Sequence, residues 1–488
     1  MSKRQESAFV PVLLFLGTVV SIVSSLGAPL IPRIAQEMHE SISSAQWALT
    51  ATLVVAAVFS PLVGRLGDGR HRKMVIVVCL GLVVLGSALA ALANTLLPLI
   101  IGRALQGFGL ALMPLTMASA RDHLPKIKAG RAIAALSVVG AAGVGLGYPI
   151  TGLIADHGGV SAAYWVGTAI SALALLLAVL VIPKPSHAPA HQSIDYVGAG
   201  IIGVALMALL IALDKGADWG WGSARVPGLI AAGIVLLVVW GWYELRIDHP
   251  LVDLRLARHR AVLTANVSGF FLGVTMYVLL VIITQFVQLP GYGLGETVFV
   301  AGLTLVPMSI FSASMSRTLP WVVRRVGIRP VIPAGALCVS VAAVFFALTT
   351  NALWQTFVTM ALIGVGLGYT FAAMPGLIVG AVPPEETGSA MGFYQVSRFV
   401  GFAFGSGLAI TLLRAFGTAN EPTLSSYRAV ALVAAALGVI TALVAWYLPG
   451  KPQAEQSPEL EAFEIEEGEL AAAGLEDAAP ALQPVAAR

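Results

Sequence analysis

The chain has 488 residues, 58% of them hydrophobic and 11% charged, with a formal net charge of +3 and a mean hydropathy of +0.88. That composition excludes a set of soluble domains and describes a polytopic helical membrane protein. The small net charge conceals cationic loops against an acidic tail, and no basic face remains outside the membrane-flanking loops, which argues against nucleic acid as a partner.

The first apolar run, about 9–31, follows Lys3 and Arg4 and predicts a spanning helix. It is too long for a cleavable signal and continues into Leu26–Pro32 without a clear cleavage site. It carries no charge. Ser21, Ser24 and Ser25 recur at helical spacing and either face a cavity or bond their own backbone. A second span opens at Gln46 and Trp47, the indole serving as an interfacial anchor or a cavity wall. Gly64–Lys73 is then the shortest loop two spans could share. It sets Arg65, Arg70, Arg72 and Lys73 around a single acid, Asp68, and positive charge at a helix exit marks the cytoplasmic side. Asp68 could pair with a loop arginine or cap a neighbouring helix, so the loop reads as a conformational latch, against the plainer reading of a generic basic loop.

A third span, Met74–Ala93, turns at Asn94–Leu97 into a fourth that contains Arg103 and Gln106. A charge at that depth costs ~2.5 kcal/mol or more, so Arg103 must find water, a cavity or backbone carbonyls. The basic stretch Arg121–Arg131 is expected as a loop before a fifth, glycine-rich span. Gly147 and Gly152 let a neighbouring backbone approach, Tyr148 adds a bulky ring, and Pro149 should bend the helix. Span six is about 162–182, followed by a Pro- and His-bearing linker, Pro183–Ser193. His187 and His191 are four apart, but Pro185 and Pro189 argue for a solvated segment over a metal site. Spans seven and eight, about 196–213 and 227–243, flank Asp214–Val226 with Trp219, Gly220 and Trp221 at an interfacial turn. Six further spans repeat the first six weakly, with Arg317–Arg329 echoing the opening loop without its acid and Arg398 inside the thirteenth span. A tail from Lys451 is rich in Ala, Pro and Glu and is expected to be disordered. Cys79 and Cys338 lie in apolar runs as small hydrophobes, with no disulfide or metal site suggested.

Several of these stretches resemble the major facilitator superfamily. Gly64, Leu66, Asp68, Arg72 and Lys73 fit its Gly-x-Leu-x-Asp-Arg-x-Gly-Arg-Arg loop, with Gly69 where Arg is usual and His71 where Gly is usual. Arg103, Gln106, Gly107 and Gly109 fit Arg-x-x-Gln-Gly-x-Gly, whose arginine the family links to proton coupling. Gly147, Tyr148, Pro149 and Gly152 fit in part the Gly-Pro-x-x-Gly-Gly pattern of its export branches, with Tyr148 and Leu153 replacing glycines. The Trp219–Trp221 loop, Pro250–Arg255 and the Arg398 helix resemble the fourteen-helix drug:proton antiporter branch. The resemblance implies an all-α fold of fourteen spans: a six-helix bundle at 1–183, a linker with two extra helices at 184–246, a second bundle at 247–449 and an acidic tail at 450–488.

It further implies a secondary active exporter that works by alternating access with proton antiport, in the cell membrane as a monomer, with both termini cytoplasmic. The charge count agrees with that topology: only Arg33, Lys215, Arg225, Arg414 and Arg428 fall in loops assigned to the outer side. No cofactor is expected, because no phosphate loop, zinc-ligand spacing or Ser-His-Asp arrangement is present, and no enzyme reading survives. An ion gradient is the remaining energy source. Depth and polarity nominate Gln46, Trp47, Tyr277, Gln285, Tyr369, Tyr394 and Arg398 for substrate, with Arg103 and Gln106 for coupling. No carboxylate occupies the first span, so a neutral or anionic substrate is expected, with protons carried by a peripheral acid such as Glu296 or Asp156. Import or facilitated diffusion of a metabolite, and a non-transporting sensor, are the competing readings.

Overall fold

The computed structural model describes residues 3–67, 71–183, 195–248, 250–379, 381–382, 387–417 and 422–448. The linker 184–194, the centre of the basic loop and the acidic tail lie outside the described residues. The first group of helices comprises α1 (Lys3–Ser25), α2 (Ile31–Glu37), α3 (Ile42–Gly67), α4 (Arg72–Ala91), α5 (Leu96–Gln106), α6 (Leu112–His123) and α7 (Lys126–Val181). A central pair follows, α8 (Tyr196–Trp219) and α9 (Arg225–Glu244). The last group is α10 (Arg260–Gln288), α11 (Val298–Val326), α12 (Val331–Leu348), α13 (Leu353–Val379), α14 (Thr387–Ala415) and α15 (Leu424–Tyr447).

Thirteen segments among the described residues are long and apolar enough to cross a membrane. One of them, Gly147–Val181, belongs to α7 and runs across a break that divides that helix into two arms. The 56 residues of α7 would extend ~84 Å as a straight helix, against a ~30 Å hydrocarbon core. The helix instead breaks at Gly159, whose φ of 77° and ψ of 178° suit a residue without a Cβ. Ser161 donates to the Ala91 carbonyl at the end of α4, while Lys73, at the start of α4, donates to the Val179 carbonyl. The second arm of α7 therefore runs antiparallel to α4. Glu37 caps this arm by accepting from the Val160 amide at 3.1 Å, and is itself held by Arg33 at 2.7 Å. The end of the molecule bearing Arg72 and Lys73 is called the basic face, and the end bearing Gly159 the opposite face.

Apolar surface does not drive one helix onto another inside lipid, so close packing must do so. Glycines supply it: Gly86 and Gly102 notch α4 into α5, and Gly401 and Gly405 set α14 against the backbone of α10 at Phe270 and Val274. The chain departs from its hydropathy pattern in three loops. Arg121–Arg131 is expected as a loop, yet Leu124 and Pro125 alone make the turn and Lys126 already opens α7. Arg317–Arg329 is mostly helix, because α11 runs to Val326 and stops at Gly327, φ 77°. The helix α8 likewise continues past Asp214 to Trp219, where Gly220 at φ 82° ends it. Loss of hydropathy marks where a chain leaves the membrane, whereas a helix ends where the backbone is turned. Pro149, expected as a bend, lies within continuous helix.

Candidate functional site

Arg398 sits eleven residues into α14, which is ~16 Å along a helix and so near mid-span. Its guanidinium lies 5.3–5.8 Å from the ring centres of Phe371, Tyr394, Phe399 and Phe402. Such distances permit cation–π attraction, worth ~0.5–2 kcal/mol per pair according to exposure. The side chain is half-buried, its Nε has no hydrogen-bond partner, and no carboxylate among the described residues pairs with it. Tyr277 extends this aromatic wall by stacking on Phe402 at 4.6 Å. Tyr394 is buried and donates to the Met374 sulfur. A fixed positive charge walled by π faces can hold an anion that also carries apolar or aromatic surface.

Arg103 is built differently. Only 1% exposed, it donates from Nε to the Ala48 carbonyl at 3.1 Å and from one terminal nitrogen to the Val23 carbonyl at 3.3 Å. The same nitrogen donates to Gln106, whose amide donates to Ser87 at 2.8 Å. Arg103 thus ties α5 to α1 and α3 through their carbonyls. It remains within electrostatic reach of Tyr148, Tyr164 and Tyr277.

On the opposite face the first and last groups are joined. Gln46 donates to Ser406 at 2.8 Å, and Thr50 shares that hydroxyl at 2.9 Å. Gln288 donates to the Pro29 carbonyl at 2.9 Å. Asp156 reaches from the first arm of α7 to the start of α11, accepting from the Val298 amide at 3.2 Å and the Phe299 amide at 2.9 Å. A carboxylate there satisfies two amides that the helix leaves unpaired and complements its dipole. Beside it, a Cβ at Gly152 would strike the Val298–Phe299 backbone, and one at Gly302 would strike the backbone of Tyr148 and Pro149.

Residues 13–406 and 321–478 match the Major Facilitator Superfamily. The chain belongs to the major facilitator superfamily. Relatives include Multidrug resistance protein 3 of Bacillus subtilis (strain 168), 27% identical over 86% of this chain and 80% of that protein. The tetracenomycin C resistance and export protein of Streptomyces glaucescens is 27% identical over 81% of this chain and 73% of its own length. Among solved structures, the POT family transporter PepTSo superposes with a TM-score of 0.65 at 14% identity, over 91% of this chain and 99% of that one, a likeness of fold. The protein is therefore a multi-pass membrane transporter of this superfamily, with antibiotic and multidrug efflux proteins among its relatives.

Placed in this facilitator, the residues nominated from sequence fall into separate groups. Tyr277, Tyr394 and Arg398 come together in the aromatic cage. Gln46 and Asp156 sit at the seam on the opposite face, with Tyr148, Pro149 and Gly152 along the same crossing and Gly147 buried just before it. Glu296 is half-buried in the link leading to α11. Gln285 is buried near the end of α10 with its amide nitrogen unpartnered, Trp47 is half-buried against the core, and Tyr369 bonds Thr318 at 3.1 Å, joining α13 to α11. In the latch, Arg72 is buried and clamps the carbonyls of Gly67 and Ala118, Lys73 holds Val179, and Gly64 leaves open space around its Cα. Asp68 lies outside the described residues. The phenylalanines of the cage and Ser406 were missed from sequence. Their signal was present: Tyr394, Arg398 and Phe402 recur every four residues, which stacks them on one helix face.

Proposed function

We propose that this facilitator exports a small, neutral or anionic amphipathic molecule by alternating access coupled to proton antiport. The observation carrying this reading is the Arg398 cage, a permanent cation near mid-span with no acid beside it among the described residues. Arg103 is held by carbonyls through Nε and one terminal nitrogen, although its other terminal nitrogen is unpartnered, and it is buried away from the cage. The efflux proteins among the relatives favour export. In this reading the basic face is cytoplasmic, with both termini on that side of the plasma membrane, as the positive charge of its loops suggests. The joined seam then closes the outer side, and substrate reaches Arg398 from the cytoplasm. The transporter works as a monomer among membrane lipids, and the substrate-facing set is Arg398, Tyr394 and Tyr277 with the phenylalanines around them.

The test uses proteoliposomes with and without an imposed pH gradient, loaded with a lipophilic organic anion or a lipophilic dication. Gradient-driven movement of the anion, lost when the gradient is collapsed, is the expected result. Robust movement of the dication alone would defeat the proposal. Cysteine labelling from outside intact cells at a position in the tail should fail, and strong labelling there would reverse the assigned orientation.

A further inference from the structure

A second polar site lies away from the cage, where the central helix pair meets the chain leading into α10. Asp195 immediately precedes α8 and caps it, its Oδ1 accepting from the Gly198 amide at 2.8 Å and from the Tyr243 hydroxyl at 3.2 Å. Glu244 is the last residue of α9, and its Oε2 accepts from the Val252 amide at 3.3 Å. Glu244 is 0% exposed and Asp195 7%. Each carboxylate keeps one buried oxygen with no hydrogen-bond partner, Asp195 Oδ2 and Glu244 Oε1. These two orphan oxygens crowd the same point: both press on the position that a Cβ on Gly198 would take. They face each other across a glycine that leaves them room.

The charged and titratable neighbours are committed elsewhere. Arg246 stacks on Trp242 at 4.1 Å. Arg255 donates to the carbonyls of Leu245 and Ile247, and Asp253 caps the turn that begins at Leu254. Tyr243 gives its hydroxyl to Asp195, and the Trp240 indole and the Leu251 amide both come within hydrogen-bonding reach of the Glu244 carboxylate. No cation among the described residues pairs with either acid. Lys184, His187 and His191 belong to the linker outside the described residues.

Two ionised carboxylates facing one another in a buried site repel strongly, and each would retain an unsatisfied acceptor. One proton removes both costs, because it converts an acceptor into a donor aimed at the opposing oxygen. We propose that Asp195 and Glu244 share one exchangeable proton and form a proton-binding site at the foot of the central helix pair, distinct from the Arg398 cage. The ligand is the proton itself, held between Asp195 Oδ2 and Glu244 Oε1. Its binding joins the head of α8 to the tail of α9 and, through the Val252 amide, to the segment that enters α10. This site does not depend on the nature of the transported molecule or on the direction of transport.

The test is infrared difference spectroscopy on the full-length protein in lipid nanodiscs near neutral pH. Wild type should show a protonated-carboxyl C=O band that shifts on transfer to D2O. Glu244→Gln and Asp195→Asn should each abolish it, the difference from wild type amounting to one carboxyl group per chain. An amide can occupy the place of a protonated acid, so both variants should stay monodisperse; the wild-type D2O shift provides a reading that needs neither variant. Absence of any band sensitive to both substitutions would overturn the proposal and point to a cation from the linker. A band that survives Asp195→Asn would overturn sharing. Stabilisation of wild type by sodium or potassium over N-methylglucamine at equal ionic strength would assign the pair to a metal ion and overturn it as well.

Discussion

Arg103 and Arg398 carry the same side chain well inside membrane spans, yet their surroundings have little in common. Around Arg103 are carbonyls from two other helices and the Gln106 amide, with one terminal nitrogen left unpartnered, and almost none of it is exposed. Around Arg398 are four aromatic rings, and its Nε has no acceptor. The first arrangement holds helices together. The second leaves charge available to a ligand. Depth alone marks an arginine as costly, but its acceptors decide whether the cost is offset by the protein or awaits a partner.

The largest effect should come from breaking the clamp. Arg103→Leu removes three charge-assisted hydrogen bonds, to the Val23 and Ala48 carbonyls and to Gln106, at ~1.5–3 kcal/mol each. The carbonyls keep the Leu26 amide and the Thr52 hydroxyl, while Gln106 loses its donor. Expected outcomes are a strong fall in folded protein and a lower unfolding temperature in thermal scans of purified samples. A variant as stable as wild type would remove the distinction between the two arginines.

Arg398→Gln should do the reverse, leaving the thermal midpoint almost unchanged while cutting transport of an organic anion by ~10-fold or more, the scale of a lost charge-assisted contact. Arg398→Lys should recover part of it, since a lysine keeps the charge but lacks the planar face that stacks on rings. Equal losses of stability in both arginine variants would make Arg398 a second clamp.

A smaller effect is expected at the seam. Asp156→Ala removes the acceptor of the Val298 and Phe299 amides, worth ~0.5–2 kcal/mol, while Thr297 still caps α11 at Val300. Because the lost contact bridges the first and last helix groups, that energy should appear as a several-fold rise in thiol labelling of cysteines placed beside Val298, with little change in total stability. Unchanged labelling would show that the Gln46–Ser406 and Gln288–Pro29 bonds hold the seam unaided. The smallest effect belongs to Tyr277→Phe, which keeps the ring stacked on Phe402 and should leave anion transport within ~2-fold, whereas Tyr277→Ala loses a stacked pair worth ~0.5–1.5 kcal/mol.

Much of the fold was legible because crossing a membrane imposes a local demand. Every span needs a long apolar run, so hydropathy located the crossings without reference to neighbours. Helix ends were less legible, since α8 and α11 outlast their apolar stretches until Gly220 and Gly327 stop them. The site was legible in composition but not in assignment. Arg103 and Arg398 were visible as charges at depth, while the carbonyls of Val23 and Ala48 carry no side-chain signature. Asp156 was visible as an acid and read as a proton carrier, but the amides it caps lie 142 and 143 residues further along the chain. Asp195 and Glu244 are 49 positions apart in sequence, and no local pattern links them. Only the side-by-side packing of α8 and α9 brings them face to face.

The mutual notch of Gly152 and Gly302 has a mechanical consequence. Each helix occupies the space that a side chain on the other would need, so α7 and α11 meet backbone to backbone at this crossing, within one of the more extensive helix pairings of the molecule. Such a contact resists sliding of either helix along the other and fixes where they cross. From Gly302 to Val326 the far arm of α11 is ~36 Å long at 1.5 Å per residue, so a tilt of only ~10° would sweep its tip by ~6 Å. Because that crossing lies near one end of α11, any tilt of the helix about it would move the basic face far more than the seam.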